Sequence, residues 1–363
     1  MKTFARFLCS ALSVASLSLV SSQAAPIDPG NLLIYRVGDG SGALAATATA
    51  VFIDEYTPLG TLVQSIAVPA ADAAALTAVG TSSTEGIMSV AMNGTAQAKV
   101  IFTGYRANVG AAVPGSVAKV IGVVGLNGVV DSSSFAITDA GTAVIRSAAS
   151  TDGSSLFYVG TSTGVRYVGS PGPAATSTVI DTRNSRQVVL TGNQLRASNG
   201  STSTTSKVQD YGTLPIGTTV PTPIVTLGSS DAVNGISFFD LNPMIAGVDT
   251  VYALSTVAGQ LVKWTYDGSI WSANGSISAS GCQNLTGYAD GNGVHLYLTS
   301  PTTLYSEFDA SGYGANITGS LTSITTAGNN TAFRGISVIP EPSTISLGLI
   351  GLASLMVIRR RRS

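Results

Sequence analysis

Few residues in this chain are equipped for acid–base or nucleophilic chemistry, and they are scattered. Of its 363 residues one is histidine, His295, and two are cysteine, Cys9 and Cys282. The stretch "GTSTG" from Gly160 to Gly164 matches the G-x-S-x-G pattern of nucleophilic serines. In hydrolases that motif requires a strand-to-helix turn, with an acid and then a histidine further along. Here β-rich runs flank it on both sides, so Ser162 is expected in a hairpin turn. A second stretch, "RVGDGSGA" after "LLIY", satisfies G-x-G-x-x-A, and Asp54 ends the next β-rich run. A dinucleotide fold would need a crossover helix between them. "ALAATATA" is too short and too rich in β-branched Thr to supply it, which leaves a Gly-rich turn between strands.

Metal and carboxylate chemistry is equally sparse. A single histidine and Cys282 make no zinc site without several carboxylates. Asp290 and Asn292 in "YADGNGVHLY", and Asp152 in a similar loop, offer oxygen ligands but do not follow the EF-hand spacing. Asp-Gly and Asn-Gly are mainly hairpin formers. The expectation is therefore no metal and no cofactor. Asp54 and Glu55 are adjacent, so a strand directs them to opposite faces and they cannot work as a pair. Trp264, Tyr266 and Trp271 are able to stack on sugars where exposed, or to pack between neighbouring sheets where buried. No set of catalytic residues emerges, and the chain is expected not to be an enzyme.

Composition limits what can position these residues. Only 10% of residues are charged, 41 are Gly and 44% are hydrophobic. That argues against helical bundles, which draw on Glu, Lys, Arg and Leu, and against disorder. Lys2, Arg6 and Arg359 to Arg362 are six of the 18 basic residues; 12 remain up to Ile339, against 18 acidic ones (19 less Glu341). Such a net-negative body repels phosphate backbones, which argues against nucleic acid as a partner.

The body alternates short β-rich runs with Gly/Ser/Asn turns. "SLFYVGTSTGVRYVG", "TVYALSTVAGQLVKWTYDGSIW" and "VHLYLTSPTTLYSEFD" each read as a hairpin, with Tyr158, Tyr252 and Tyr297 in equivalent places. "RQVVLTGNQLRAS" is a weaker copy, and only an Ala-rich piece from Ala70 to Ala78 hints at a helical period. A Gly-apolar-small element recurs at Gly86, Gly235, Gly287 and Gly335, at intervals near 50 residues or about three times that. Missing copies would fall at 135–146 and 178–183. A repeat of about 50 residues holding about four strands is the pattern of a propeller blade. The fold class is thus all-β, a β-propeller of six blades by this count, with seven as the alternative. "RGISVIP" should close the ring as the innermost strand of the blade begun by "NLLIYRVG" and "AVFIDEYTPLGTLVQSIAVP". The stretch "NGSTSTTSKVQDYGTLPIGTTVPTP" reads as an inserted loop. A parallel β-helix is the rival architecture, disfavoured by the long repeat and the hairpins.

The two ends carry addresses. Lys2 and Arg6 precede an apolar stretch from Phe7 to Val20, and Ser22-Gln23-Ala24 fits signal peptidase cleavage after Ala24. Cys9 would leave with that peptide, and Cys282 is expected as a small buried apolar residue. At the other end Pro340-Glu341-Pro342 precede sixteen uncharged residues, Ser343 to Ile358, and then Arg359, Arg360, Arg361 and Arg362. As a helix that run would span roughly 24 Å, marginal against a hydrocarbon core of about 30 Å. The arginines would stay on the cytoplasmic side.

This order of elements resembles the PEP-CTERM sorting signal of Gram-negative, exopolysaccharide-producing bacteria. The resemblance implies that an exosortase recognises Pro340, Glu341 and Pro342 and cuts nearby, with Arg359 to Arg362 as the stop-transfer anchor. It covers only the last 24 residues (340–363) and is specific for sorting. The start, Leu32 to Pro69, also looks like uncharacterised propeller-like proteins that carry the same tail, and no activity comes with that likeness. The chain is thus expected to comprise a signal peptide (1–24), an extracellular propeller-like body (25–339) and a sorting signal (340–363). Its expected partners are signal peptidase, exosortase, the inner membrane for a time, and extracellular polysaccharide. The expected destination is the cell surface or extracellular matrix, in a non-catalytic role that binds exopolysaccharide or proteins on one propeller face. Two alternatives stand beside it: a secreted carbohydrate-active enzyme using Asp/Glu, and a β-helix adhesin.

Overall fold

A computed structural model describes residues 24–93 and 97–341 of the chain. From the N-terminus, β1 (Leu32–Val37), the short β2 (Ala48–Thr49), β3 (Val51–Tyr56) and β4 (Leu62–Ala67) precede the equally short β5 (Ala78–Val79), which pairs with β2. Five four-stranded antiparallel sheets follow in strict chain order. They are β6 (Ser89–Asn93), β7 (Gln97–Tyr105), β8 (Lys119–Gly125) and β9 (Val130–Ile137); then β10 (Ile145–Ala149), β11 (Phe157–Thr161), β12 (Gly164–Val168) and β13 (Thr178–Asp181). Next come β14 (Ser185–Thr191), β15 (Gln194–Asn199), β16 (Ser206–Thr213) and β17 (Thr222–Thr226), then β18 (Val233–Phe239), β19 (Thr250–Ser255), β20 (Gln260–Tyr266) and β21 (Trp271–Ser278). The last sheet is β22 (Asn284–Asp290), β23 (Gly293–Thr299), β24 (Thr303–Asp309) and β25 (Thr322–Thr326).

The final strand, β26 (Ala332–Val338), returns to the start of the chain. It pairs antiparallel with β1, Leu32 opposite Val338 and Val37 opposite Ala332, giving a sheet ordered β26-β1-β3-β4. This makes six blades, numbered 1 to 6 from that sheet onward, and the ring closes on the strand expected from "RGISVIP". Closure leaves no open sheet edge between first and last blade. The β-helix alternative is excluded, because every sheet pairs its strands antiparallel and five of them are four-stranded meanders.

The expected hairpins are all present: β11–β12, β19–β20 and β23–β24 join the second and third strands of their blades. "RQVVLTGNQLRAS" is a hairpin too, but β14–β15 joins the first and second strands. Its turn residues Gly192 and Asn193 both have positive φ, the geometry that twists a two-residue hairpin correctly. The Gly-apolar-small element marks innermost strands: Gly235, Gly287 and Gly335 lie within β18, β22 and β26, and Gly86 just before β6.

Three expectations are corrected. The inner strands of blades 3 and 4 are Ile145–Ala149 and Ser185–Thr191; 135–146 takes in the end of β9, a loop and only the first two residues of β10, and 178–183 covers the outer strand β13, because blade lengths are uneven. The supposed inserted loop at 199–223 instead supplies β16 and the first two residues of the edge strand β17. Pro223 sits in that edge strand, where a missing N–H costs no ladder bond on the open side. The Ala-rich piece forms only a 3-10 turn at Asp72–Ala74. Signal peptide residues 1–23 and the sorting residues from Pro342 onward, Arg359 to Arg362 and the expected C-terminal helix among them, lie outside the described residues. Among the described residues no helix is long and apolar enough to cross a membrane.

Apolar side chains from facing blades fill the spaces between sheets, and one polar lock lies among them. Lys263 of β20 is fully buried, and its Nζ meets Asp309 Oδ2 of the next blade at 2.8 Å. Tyr252 Oη also donates to that carboxylate, at 2.5 Å, and Lys263 donates to Ser311 Oγ and the Gly312 carbonyl. Burial pushes the Asp309 carboxyl up, but Lys263, Ser311 and Tyr252 outweigh it and hold the group below its usual range. Its stabilising contribution is present above the unfolded value near 4 and lost as pH falls through the lower folded value. Lys263→Met should strand a buried carboxylate and cost about 3–5 kcal/mol in urea unfolding at pH 7. That loss should shrink markedly at about pH 3, where Asp309 protonates more readily in the variant.

Candidate functional site

Ser162 has no catalytic surroundings. It lies in the two-residue turn between β11 and β12; its backbone N–H donates to Val144 O at 2.9 Å and its Oγ accepts from Val144 N–H at 3.0 Å. Gly164 in the same turn has φ of +135°, and a Cβ there would stand 1.8 Å from Asp181 O. His295 lies three blades away, 3.1 Å from Asp290 and stacked between Tyr288 and Phe308. The G-x-S-x-G match is thus a turn signature, as the flanking strands implied. The Gly-rich "RVGDGSGA" likewise connects β1 to β3 within blade 1.

The isolated carboxylates are committed to structure. Asp152 accepts from the N–H groups of Ser154 and Ser155 at 2.8 Å each. Asp290 accepts from Asn292 N and Gly293 N at 2.7 and 3.1 Å. Asp54 meets Arg36 Nε at 2.5 Å and Ser65, whereas Glu55 accepts from Asp28 N and Asn31 Nδ2, so the two diverge as adjacent strand residues must. Cys282 is 2% exposed, and burial pushes its thiol up to about 12. Among the described residues no three His, Cys, Asp or Glu gather as metal ligands.

Two hollows lie at the axis and the tail. A central cavity of about 380 Å³ is lined by the inner strands, including Met88, Gln187, Ile236, Ser337 and Val338, and by Pro340. None of its lining residues is acidic. Beside it Pro340 and Glu341 line a cleft with Asn31, Pro58, Tyr288 and Asp290. Ile339 is fully buried, so the described part of the tail emerges from the sheet at Pro340. Ala25, next to the expected cleavage point at Ala24, is held by Gln64 through two 3.0 Å bonds.

A groove of about 1150 Å³ lies between blades 4 and 5. Trp264 and Tyr266 are two apart on β20 and so share a face, and Trp271 pairs with Tyr266 across the β20–β21 hairpin. The Tyr266 and Trp271 rings lie 5.3 Å apart, and Phe238 meets Trp271 edge-on at 6.4 Å. Trp264 and Trp271 rest on the apolar core between the blades and expose their other sides to the groove. Both expected roles, packing and display, thus belong to the same side chains. Opposite them blade 4 contributes Gln194, Arg196 and Asp210. Arg196 Nη2 pairs with Asp210 Oδ2 at 3.0 Å and its guanidinium lies 5.0 Å from the Phe238 ring. Asp240 lines the groove from blade 5. Aromatic faces beside fixed, charged hydrogen-bonding groups suit a ligand with apolar faces and hydroxyl edges. The sequence reading missed Arg196, Asp210 and Asp240, which come together only through the stacking of blades 4 and 5.

The PEP-CTERM protein-sorting motif matches residues 338–362 of the chain. The protein is therefore a six-bladed β-propeller bearing a C-terminal PEP-CTERM sorting motif. The motif implies export, exosortase processing and sorting to the cell surface. No curated protein sequence matches the chain. Among solved structures it is similar to one in a nidogen/laminin complex, at 12% identity and a TM-score of 0.50, over 85% of this chain and 98% of that one. It is also similar to the major Malassezia sympodialis allergen Mala s 1, at 12% identity and a TM-score of 0.46, over 73% and 86%. The first likeness speaks to the fold alone.

Ser162→Ala should unfold at a temperature within a few degrees of the parent, since one half-buried turn hydroxyl and its bond to Val144 N–H are worth about 1 kcal/mol. Gly164→Ala should cost well over that, because the new Cβ meets backbone at a φ that only Gly adopts freely. Differential scanning calorimetry of both variants checks the turn assignment.

Proposed function

We propose that this chain is an exported, exosortase-sorted protein of the cell surface or extracellular matrix, whose propeller binds extracellular polysaccharide without altering it. The observation that carries the binding role is the aromatic wall of Trp264, Tyr266 and Trp271 along the groove between blades 4 and 5. A sugar ring stacked there would bury C–H faces on the indoles while Gln194, Arg196 and Asp240 meet its hydroxyls. Asp210 is tied to Arg196 by an ion pair, which suits a positioning role better than proton transfer. Sorting would proceed by recognition of Pro340, Glu341 and Pro342, with the arginines as the inside stop.

Binding is tested on a glycan array followed by titration calorimetry. Trp271→Ala should weaken a retained glycan by about tenfold, the equivalent of one aromatic contact of about 1.4 kcal/mol, without lowering thermal stability enough to unfold the body. Uniformly absent binding overturns the reading. New reducing ends released from a bound polysaccharide, and lost in Asp240→Asn, would favour the carbohydrate-active enzyme instead. For sorting, Glu341→Ala in a host encoding an exosortase should leave the protein unprocessed and cell-associated on immunoblots of culture fractions. Unchanged release would count against recognition through that residue.

A further inference from the structure

The inner strands surround the propeller axis, and contacts between neighbours fix which of their residues share a level. Gly335 N donates to Gly86 O at 3.1 Å, and Ile87 N to Arg146 O at 2.9 Å. Ser147 Oγ donates to Arg186 O at 2.7 Å. Ile236 N donates to Gln187 Oε1 at 2.6 Å, and Gly235 packs on the backbone at Asn284 and Leu285. Around the ring this level therefore holds Arg334, Gly86, Arg146, Arg186, Asn234 and Asn284, one from each blade, with Glu85 one residue before it on blade 2. Directly next to it Gln187 spans the axis, bonding Ile236 N on one side and Met88 O at 3.4 Å on the other. The central cavity and Pro340 lie beyond Gln187, so this polar ring belongs to the opposite mouth from the tail.

The ring carries an excess of buried positive charge. Arg146 and Arg334 are 6% and 3% exposed, and Arg186 is half-buried. Glu85 is their one acidic companion, and it is taken up by Tyr105 Oη and Val79 N at 3.0 Å each, with no ion pair to an arginine. Arg146 Nη1 donates to Asn184 Oδ1 and Ser185 O, and Arg334 Nη2 donates to Gly80 O. These bonds orient the guanidiniums. The Nε atoms of all three arginines, and Oδ1 of Asn234 and Asn284, have no partner among the described residues. Burial, and then repulsion from Arg186, push the Arg146 guanidinium down to about 9. Buried like charges with unspent N–H donors are costly unless an anion neutralises them.

We propose that this mouth of the channel binds a compact oxyanion (carboxylate, sulfate or phosphate) between the guanidiniums of Arg146, Arg186 and Arg334. Arginine forks match the planar or tetrahedral oxygen sets of such groups. The Asn234 and Asn284 amides can turn Nδ2 toward the same oxygens. The anion arrives either as a free ion or as the acidic group of a uronic-acid or sulfated glycan, and the site is separate from the aromatic groove.

The test is thermal unfolding of the full chain in chloride, inorganic sulfate, inorganic phosphate, glucuronate and an oligoglucuronate at matched ionic strength. A saturable rise of several degrees in an oxyanion over chloride is expected. Arg146→Gln and Arg186→Gln should abolish it, whereas Trp271→Ala should retain it, which separates this site from the groove. Arg186 is the less buried of the two, so Arg186→Gln keeps the test decisive where Arg146→Gln fails to fold. Saturation by free sulfate or phosphate assigns a free ion; saturation by the oligoglucuronate alone assigns a polymer. A rise equal to that in chloride, or an unchanged rise in Arg186→Gln, overturns the proposal.

Discussion

Everything in this fold depends on one strand pairing: β26 against β1. The two segments are separated by almost the whole sequence, yet Leu32 faces Val338 and Ile34 faces Ile336 in one ladder. Without that pairing blade 1 would lack its innermost strand, and blades 1 and 6 would each expose a sheet face and an unpaired edge. With it, six meanders become a ring in which each blade has two neighbours. The contact is long-range and costly in chain entropy, and the reward is the burial of Leu32, Ile34, Tyr56, Tyr297 and Phe333 in one cluster. Gly30 and Asn31 extend the seam by bonding the backbone of Ile339.

The ring also explains why chemistry is placed at seams. Inner strands present backbone edges to the axis, and their side chains are shared between neighbouring blades. Arg146, on an inner strand, therefore finds its partners on the following blade, and Lys263, on the third strand of blade 5, does so across the same kind of seam. The groove between blades 4 and 5 arises in the same way. Trp264 and Trp271 are long enough to fill the interblade core at their bases and still show a face outward. Their two duties share one cause, the wedge-shaped gap between twisted sheets that widens away from the axis.

Much of this was legible in the sequence. Alternation and turn chemistry exposed the hairpins at Tyr158, Tyr252 and Tyr297, and the Gly-apolar-small element revealed the inner strands of blades 1, 2, 5 and 6. Blades 3 and 4 were harder because Arg146 and Arg186 occupy positions near which the other blades place Gly, and Ile145–Ala149 is short and rich in small residues. The strands β16 and β17 were hidden by Ser, Thr and three prolines, a composition that an edge of a meander accepts and a central strand does not. The aromatic half of the groove could be read from single residues. Its charged half could not, since Arg196 and Asp210 are brought beside Trp271 only by the stacking of two blades. The arginine ring was likewise invisible, because its members lie about 40 to 60 residues apart with no local pattern.

Val338 belongs both to the last strand and to the matched sorting motif. This has a mechanical consequence. Ladder hydrogen bonds run perpendicular to their strands, so a pull on the chain beyond Ile339 runs along β26 and strains its bonds to β1 together, in shear. Peeling them one at a time would need a pull across the sheet. The chain thus leaves the body at a point where a pull on the tail would load the β26–β1 ladder as a whole.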